Sequence, residues 1–285
     1  MKKFYILNLY KMENLRLHSV VPTTNKTFYG EFDQIEFNAN FSGRKMLPGT
    51  MRLEADLTVL YDGTDFPSDA EVVFMNDKIG AQSLIDGITI ATDKQGVLEN
   101  IGSGYGHLVS MLADATLCES DYFNGDVSCE LRTGNYNLSK VLLYDRPPKV
   151  DQITNDAANR SVDFSIKPIV CLNQATNMSN PAAKPAISYD TTGTVQITFT
   201  LSRTIGTFFG DDVDGTTVYR VSQPRLTFLS VPDDGKQDKL LMITTNNFKE
   251  SIVSSRHNVD IVNPRPILST AMCFQSTANE NSSET

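Results

Sequence analysis

The sequence predicts an all-β protein, a sandwich or jelly roll of antiparallel strands with one or two short helices. Period-two alternation of apolar and polar residues dominates the chain, which sets one face of each strand on a core. Turn signals rich in Gly, Asp and Pro recur at short intervals between these runs. Long helical patterns do not alternate with the strands, which argues against a parallel α/β sheet.

Taken in order, Ile35, Phe37, Ala39 and Phe41 alternate with Gln34, Glu36, Asn38 and Asn40. After Leu47-Pro48-Gly49 the alternation resumes, with Met51, Leu53, Ala55, Leu57, Val59 and Tyr61 set against Arg52, Glu54, Asp56 and Thr58. Leu60 alone departs from it, and Asp62-Gly63 ends the run with hairpin chemistry. Further strands are expected at Glu71–Met75, Ser83–Ala91, Val97–Ile101, Val141–Tyr144, Val162–Leu172, Ala186–Tyr189 and Thr194–Ser202. Val218–Val221, Leu226–Val231, Leu240–Thr245, Val259–Val262 and Ile267–Phe274 complete the set. One segment has a helical period: His107–Thr116 places Leu108, Met111, Leu112 and Ala115 on a single face. Asn246–Ser254 is a weaker helical candidate.

Asp145-Arg146-Pro147-Pro148-Lys149 marks the best boundary, because paired prolines stop both helix and sheet. It divides the 285 residues into near-equal halves that open alike, on Ile35-x-Phe37-x-Ala39 and Val162-x-Phe164-x-Ile166. The expected organisation is an N-terminal arm at 1–14, one barrel at 15–148, a second at 149–276 and a disordered tail at 277–285. The polar stretch Asn173–Lys184 is the rival boundary.

Composition narrows the function. Hydrophobic residues make up 40% and charged residues 21%, enough for a sizeable core and too apolar for a disordered chain. Lys and Arg number 25 against 34 Asp and Glu, a net charge of −9. Such a balance repels phosphate backbones, so no direct sequence-specific nucleic-acid binding is expected. Lys2-Lys3 ahead of Phe4-Tyr5-Ile6-Leu7 imitates a secretion signal, but Asn8 and Lys11 break the apolar run and no small-residue cleavage site follows. The expectation is a chain that starts in a cytosol. Cys118, Cys129, Cys171 and Cys273 make no C-x-x-C pair and no zinc spacing. Cys118 and Cys129 are placed to close a loop, and free thiols are the simpler expectation.

No catalytic constellation emerges. His18, His107 and His257 have no second ligand at metal-like spacing. Gly102-Ser103-Gly104-Tyr105-Gly106 stands between a strand and a helix like a phosphate loop, but it is G-x-G-x-G and lacks Gly-Lys-Ser/Thr. Nor does Ser103 have the G-x-S-x-G surroundings of a hydrolase nucleophile. Asp211, Asp212 and Asp214 form the densest acidic cluster and the weak candidate for a Ca²⁺ site, although Thr216 and Ser222 occupy the EF-hand positions for Gly and Glu. Phe4, Tyr5, Ile6, Leu7, Leu9 and Tyr10 give the arm an apolar patch suited to a neighbouring subunit or a membrane. No enzymatic activity and no cofactor are expected.

The order of local features resembles the double-jelly-roll major capsid proteins of small tailless icosahedral DNA viruses. The resemblance rests on Ile35–Phe41 leading into Met46-Leu47-Pro48-Gly49-Thr50-Met51-Arg52-Leu53, then Gly80-Ala81-Gln82-Ser83-Leu84-Ile85, and Glu99-Asn100 before Tyr105. It continues with Phe164-Ser165-Ile166-Lys167-Pro168, Cys171-Leu172-Asn173, Thr192-Gly193 and Pro232-Asp233-Asp234-Gly235. The resemblance implies two tandem eight-stranded antiparallel jelly rolls and a homotrimeric, pseudo-hexagonal capsomer. Its partners would be itself, neighbouring capsomers and, through the arm, minor capsid proteins or an internal membrane. Its place would be the virion, assembled inside a host cell. The competing readings are a minor or vertex capsid protein and a carbohydrate-binding, adhesin-like β-sandwich.

Overall fold

The structure, a computed structural model, describes residues 14–61, 74–75, 79–116, 141–142, 162–178, 185–209, 215–236 and 239–245. Sixteen strands occur among them. They are β1 (Arg16–Val20), β2 (Phe28–Tyr29), β3 (Gln34–Ala39), β4 (Arg44–Met46), β5 (Arg52–Tyr61), β6 (Phe74–Met75), β7 (Ile85–Thr92) and β8 (Gly96–Ile101). After these come β9 (Val141–Leu142), β10 (Val162–Ile166), β11 (Thr176–Asn177), β12 (Ile187–Ser188), β13 (Val195–Leu201), β14 (Phe208–Phe209), β15 (Thr217–Pro232) and β16 (Leu240–Leu241). Among the described residues, helical structure comprises Tyr105–Thr116, a 3₁₀ turn at Gly80–Leu84 and single turns at Cys171–Gln174, Tyr189–Thr192 and Thr204–Thr207. The chain is all-β with few helices, as its alternation predicts.

Two antiparallel sheets build the sandwich. One has the order β10-β5-β15-β4-β12, with β1 and β2 also pairing with β15. The other has the order β3-β13-β7-β8. Their pairings nest. β7 joins β8, β5 joins β10, β3 joins β13, and β1 joins β15. This is one long hairpin wound over itself, the jelly-roll wrap.

That nesting bears on the expected division into 15–148 and 149–276. The described strands before residue 148 pair in both sheets with strands after it: Phe37 lies opposite Ile197, Ala55 opposite Phe164, and Leu57 opposite Val221. They form one roll drawn from both halves of the chain. Pro147 and Pro148 lie outside the described residues, between β9 and β10 in the chain. Alternation sets which face a strand buries, but not which partner it finds.

The core lies between the sheets. Ile35, Phe37, Ile88, Ile90, Ile197 and Phe199 from one sheet are buried in a single cluster with Leu53, Leu57, Phe164, Tyr219, Val221 and Phe228 from the other. Phe41, just past β3, meets Phe228 edge-on at 5.9 Å and Tyr189 at 5.4 Å, linking the two layers. Each fully buried phenyl ring of this kind stabilises the fold by about 2–3 kcal/mol.

Several elements depart from expectation for local reasons. The two runs Val218–Val221 and Leu226–Val231 are one strand, β15, that passes through a bulge where its register with β5 shifts between Ser222 and Arg225. Gln223 takes φ 50 there. Pro224, which has no N–H to offer a ladder, is accommodated by that break. The run Val162–Leu172 stops at Ile166, before Pro168, and its end coils into the turn Cys171–Gln174. Ser83 and Leu84 belong to the 3₁₀ turn, and β7 starts only at Ile85. The helix expected at His107 starts two residues earlier, at Tyr105. The weaker candidate Asn246–Ser254 lies outside the described residues.

Candidate assembly surface

β1 sits at the border of its sheet, paired with β15 from Arg16 opposite Ser230 to Val20 opposite Leu226. Strand alternation turns His18 and Val20 towards the core and carries Leu15, Leu17, Ser19 and Val21 on the outer row. Leu17 is 64% exposed and Val21 66%. Border strands are usually guarded by charge; this one exposes Arg16, and its outer row is apolar except for Ser19. Of the nine exposed large hydrophobics among the described residues, five (Leu15, Leu17, Val21, Phe28 and Phe32) fall between residues 15 and 32. Three of these, Leu15, Leu17 and Val21, lie on the outer row of β1.

The inner side of β1 is held by a cationic clamp. The His18 ring stacks on Phe228 with centroids 4.7 Å apart and planes 2° from parallel. Its Nε2 lies 2.8 Å from Ser230 Oγ, which also accepts from Arg44 Nε at 2.7 Å. Arg44 Nη2 donates to Asn14 O at 2.8 Å and to Ser230 O at 3.1 Å. Burial of the ring, and then the positive charges of Arg16 and Arg44, hold His18 below its ordinary pKa of 6.5.

Two further polar groups fasten the sandwich from within. Glu99 on β8 is 1% exposed. Its two carboxylate oxygens accept from Cys171 N and Thr245 N, each at 2.7 Å, so one side chain ties three distant segments together. Lys45 on β4 is 5% exposed. It donates to Asp234 Oδ1 at 2.5 Å and to Lys236 O, while Asp233 takes the Ser188 hydroxyl at 2.5 Å. Burial of Lys45 disfavours its charge, but its bond to Asp234 and the charge of Asp233 outweigh this and raise its pKa. Sequence reading misses both groups. The available signal was a charge on a core-facing strand position, as at Glu99 between Val97 and Ile101.

The residues singled out in sequence are not brought together. Asp211, Asp212 and Asp214 lie outside the described residues, as do His257, Cys118, Cys129, Cys273 and the arm patch Phe4–Tyr10. Among the described residues no group of three or more His, Cys, Asp or Glu is placed to hold a metal ion. His107 is half-buried on its helix, and Cys171 is a buried cysteine. The glycine-rich loop is a strand-to-helix connection: Gly104 takes φ 73 and donates its N–H to Asp86 Oδ1 at 2.9 Å. Tyr105 behind it donates to Gln82 Oε1 at 2.7 Å and accepts from Ile169 N at 2.8 Å.

No protein-family model matches the chain, and no curated protein matches it. Among solved structures it is similar to one from the Sputnik virophage, at 11% identity and a TM-score of 0.47, covering 79% of this chain and 49% of that one. It is similar to the mavirus major capsid protein at 13% identity and a TM-score of 0.42, covering 76% and 46% of the two chains. A structure of Sulfolobus Turreted Icosahedral Virus matches at 8% identity and a TM-score of 0.32, covering 76% and 45%. The chain thus spans about half the length of the solved structures it matches.

Proposed function

We propose that this chain is a capsid subunit, a structural protein of the virion that works by packing against further copies and carries out no chemistry. The observation that carries this reading is the apolar outer row of β1 on a sandwich whose own core is already filled. Jelly rolls are a recurrent capsid architecture. An exposed apolar strand at the border of one is suited to burial between subunits. The arm at 1–14, with Phe4–Tyr10, would add contacts to neighbours, to minor capsid proteins or to an inner membrane. A net charge of −9 keeps unassembled copies apart and soluble.

Two geometries of assembly follow from this reading. A homotrimeric pseudo-hexagonal capsomer needs two barrels from each of three copies. The described strands, paired from both halves into one roll, are compatible also with a minor or vertex component closing a ring of copies.

The solution mass of the purified chain, measured by light scattering with and without calcium, tests the proposal. Three times 31.5 kDa supports the trimer, and a ring of five supports the vertex component. A monomer at high concentration in both conditions argues against a capsid role. A mass that changes with calcium makes Asp211, Asp212 and Asp214 a cation site. Leu17→Lys is expected to hold the protein in its unassembled form. Its unfolding midpoint should move little, because a 64% exposed side chain contributes about 0.5 kcal/mol or less to the fold.

A further inference from the structure

Among the described strands of its sheet, β1 alone has no fully buried residue: Arg16, Leu17 and Ser19 are exposed, and His18 and Val20 are half-buried. Its attachment comes from the ladder with β15 and from the bonds around His18. An element with so few buried apolar contacts opens ahead of the rest of a fold when one of its contacts weakens.

The bonds around His18 suit a neutral ring. Ser230 is 0% exposed, and its Oγ accepts from Arg44 Nε, which leaves its own O–H to donate to His18 Nε2. Protonation turns Nε2 into a donor and takes that acceptor away from a buried hydroxyl. The nearby charges are of one sign. Arg16 lies two residues back on the same side of β1 and Arg44 on β4, and neither makes an ion pair among the described residues. β15 offers Phe228 and Ser230, neither of them charged. The acids that follow, Asp233 and Asp234, are taken by Lys45 and the Ser188 hydroxyl. Glu36 on β3, which packs against β1, accepts from Gln196 Nε2 at 2.8 Å. The Phe228 face tolerates a cation, but a third positive charge beside two arginines is repelled.

We infer that His18 is an acid-sensitive latch, whose protonation frees β1 from β15 and with it the apolar row of Leu15, Leu17 and Val21. The release of β1 stands on the geometry of the clamp; its consequence, that copies part in acid, rests on the proposed capsid reading. That direction is opposite to the one set by the charge of the whole chain. Acidification towards the pI of about 4.9 removes repulsion between copies and favours their association.

The test is hydrogen exchange of the full chain, read as protection factors, together with its solution mass, each at a pH above 6.5 and at one well below it. In acid, protection of Leu17–Val20 is expected to fall by about tenfold for each unit separating the ring's pKa in the docked and the free strand. β13 should stay protected. His18→Gln, uncharged at either pH, should keep β1 protected and the copies assembled. His18→Lys, charged at either pH, should leave β1 open throughout while β13 remains protected. Unchanged protection of β1 in the parent, or a fall that His18→Gln does not prevent, overturns the latch. So does a fall in β13 as large as in β1, or a mass that drops while β1 stays protected. Loss of β1 protection in a chain that is monomeric throughout upholds the latch and overturns the capsid reading instead.

Discussion

At the scale of single residues, His18 links the border strand to pH. Burial of its ring, and then the charges of Arg16 and Arg44, disfavour its protonation while it shares the Ser230 hydroxyl with Arg44. The unfolded chain takes up this proton near 6.5, the folded chain only at lower pH. Between those values the unfolded state binds more protons, so stability rises with pH. The contribution of His18 is complete above 6.5 and is lost as pH falls through the folded value. His18→Gln should therefore flatten the acid limb of the unfolding midpoint against pH, starting below 6.5. An unchanged limb would mean that the clamp does not depend on the neutral ring. Neither this stack nor the Glu99 tie was legible in sequence, since both join residues more than seventy positions apart.

Elements show where local pattern suffices and where it fails. β3, β5 and β13 were legible because alternation alone decides which face they bury, and the burial patterns of β3 and β13 alternate accordingly. β1 was not legible, because its outer row is apolar and spoils the alternation. The close seam between β7 and β8 also escaped the pattern. A Cβ on Gly87 would lie 2.8 Å from both Ile101 O and Gly102 O, which are backbone atoms with no freedom to yield. Gly87→Ala should force the two strands apart and cost about 2–3 kcal/mol, read as a lower denaturant midpoint. A variant as stable as the parent would show that the seam opens freely. By contrast, a Cβ at Gly43 or Gly102 meets nothing within 4 Å.

At the scale of the whole molecule, the nested pairing makes the two halves interdependent. Residues 1–148 contribute β1, β3 and β5, but their partners β15, β13 and β10 all lie beyond residue 161. Expressed alone, neither 1–148 nor 149–285 should give a cooperative unfolding transition, whereas the two mixed should recover some structure by far-ultraviolet circular dichroism. A cooperative transition in either half alone would support the division at Pro148. The same nesting delays folding, because β1 and β15 close a loop of some two hundred residues before their contacts stabilise anything.

The sequence by itself determined the class of protein: strands, their inward faces, their turns, one helix, and an acidic net charge. These follow from properties that repeat within a few residues and need no partner to be specified. Only the tertiary structure decided that described strands from both halves share one roll, and that Glu99 and Lys45 are buried ties. Each of these joins residues far apart in the chain. Alternation is the same in every strand, so it fixes the face a strand buries and leaves open the strand it will meet.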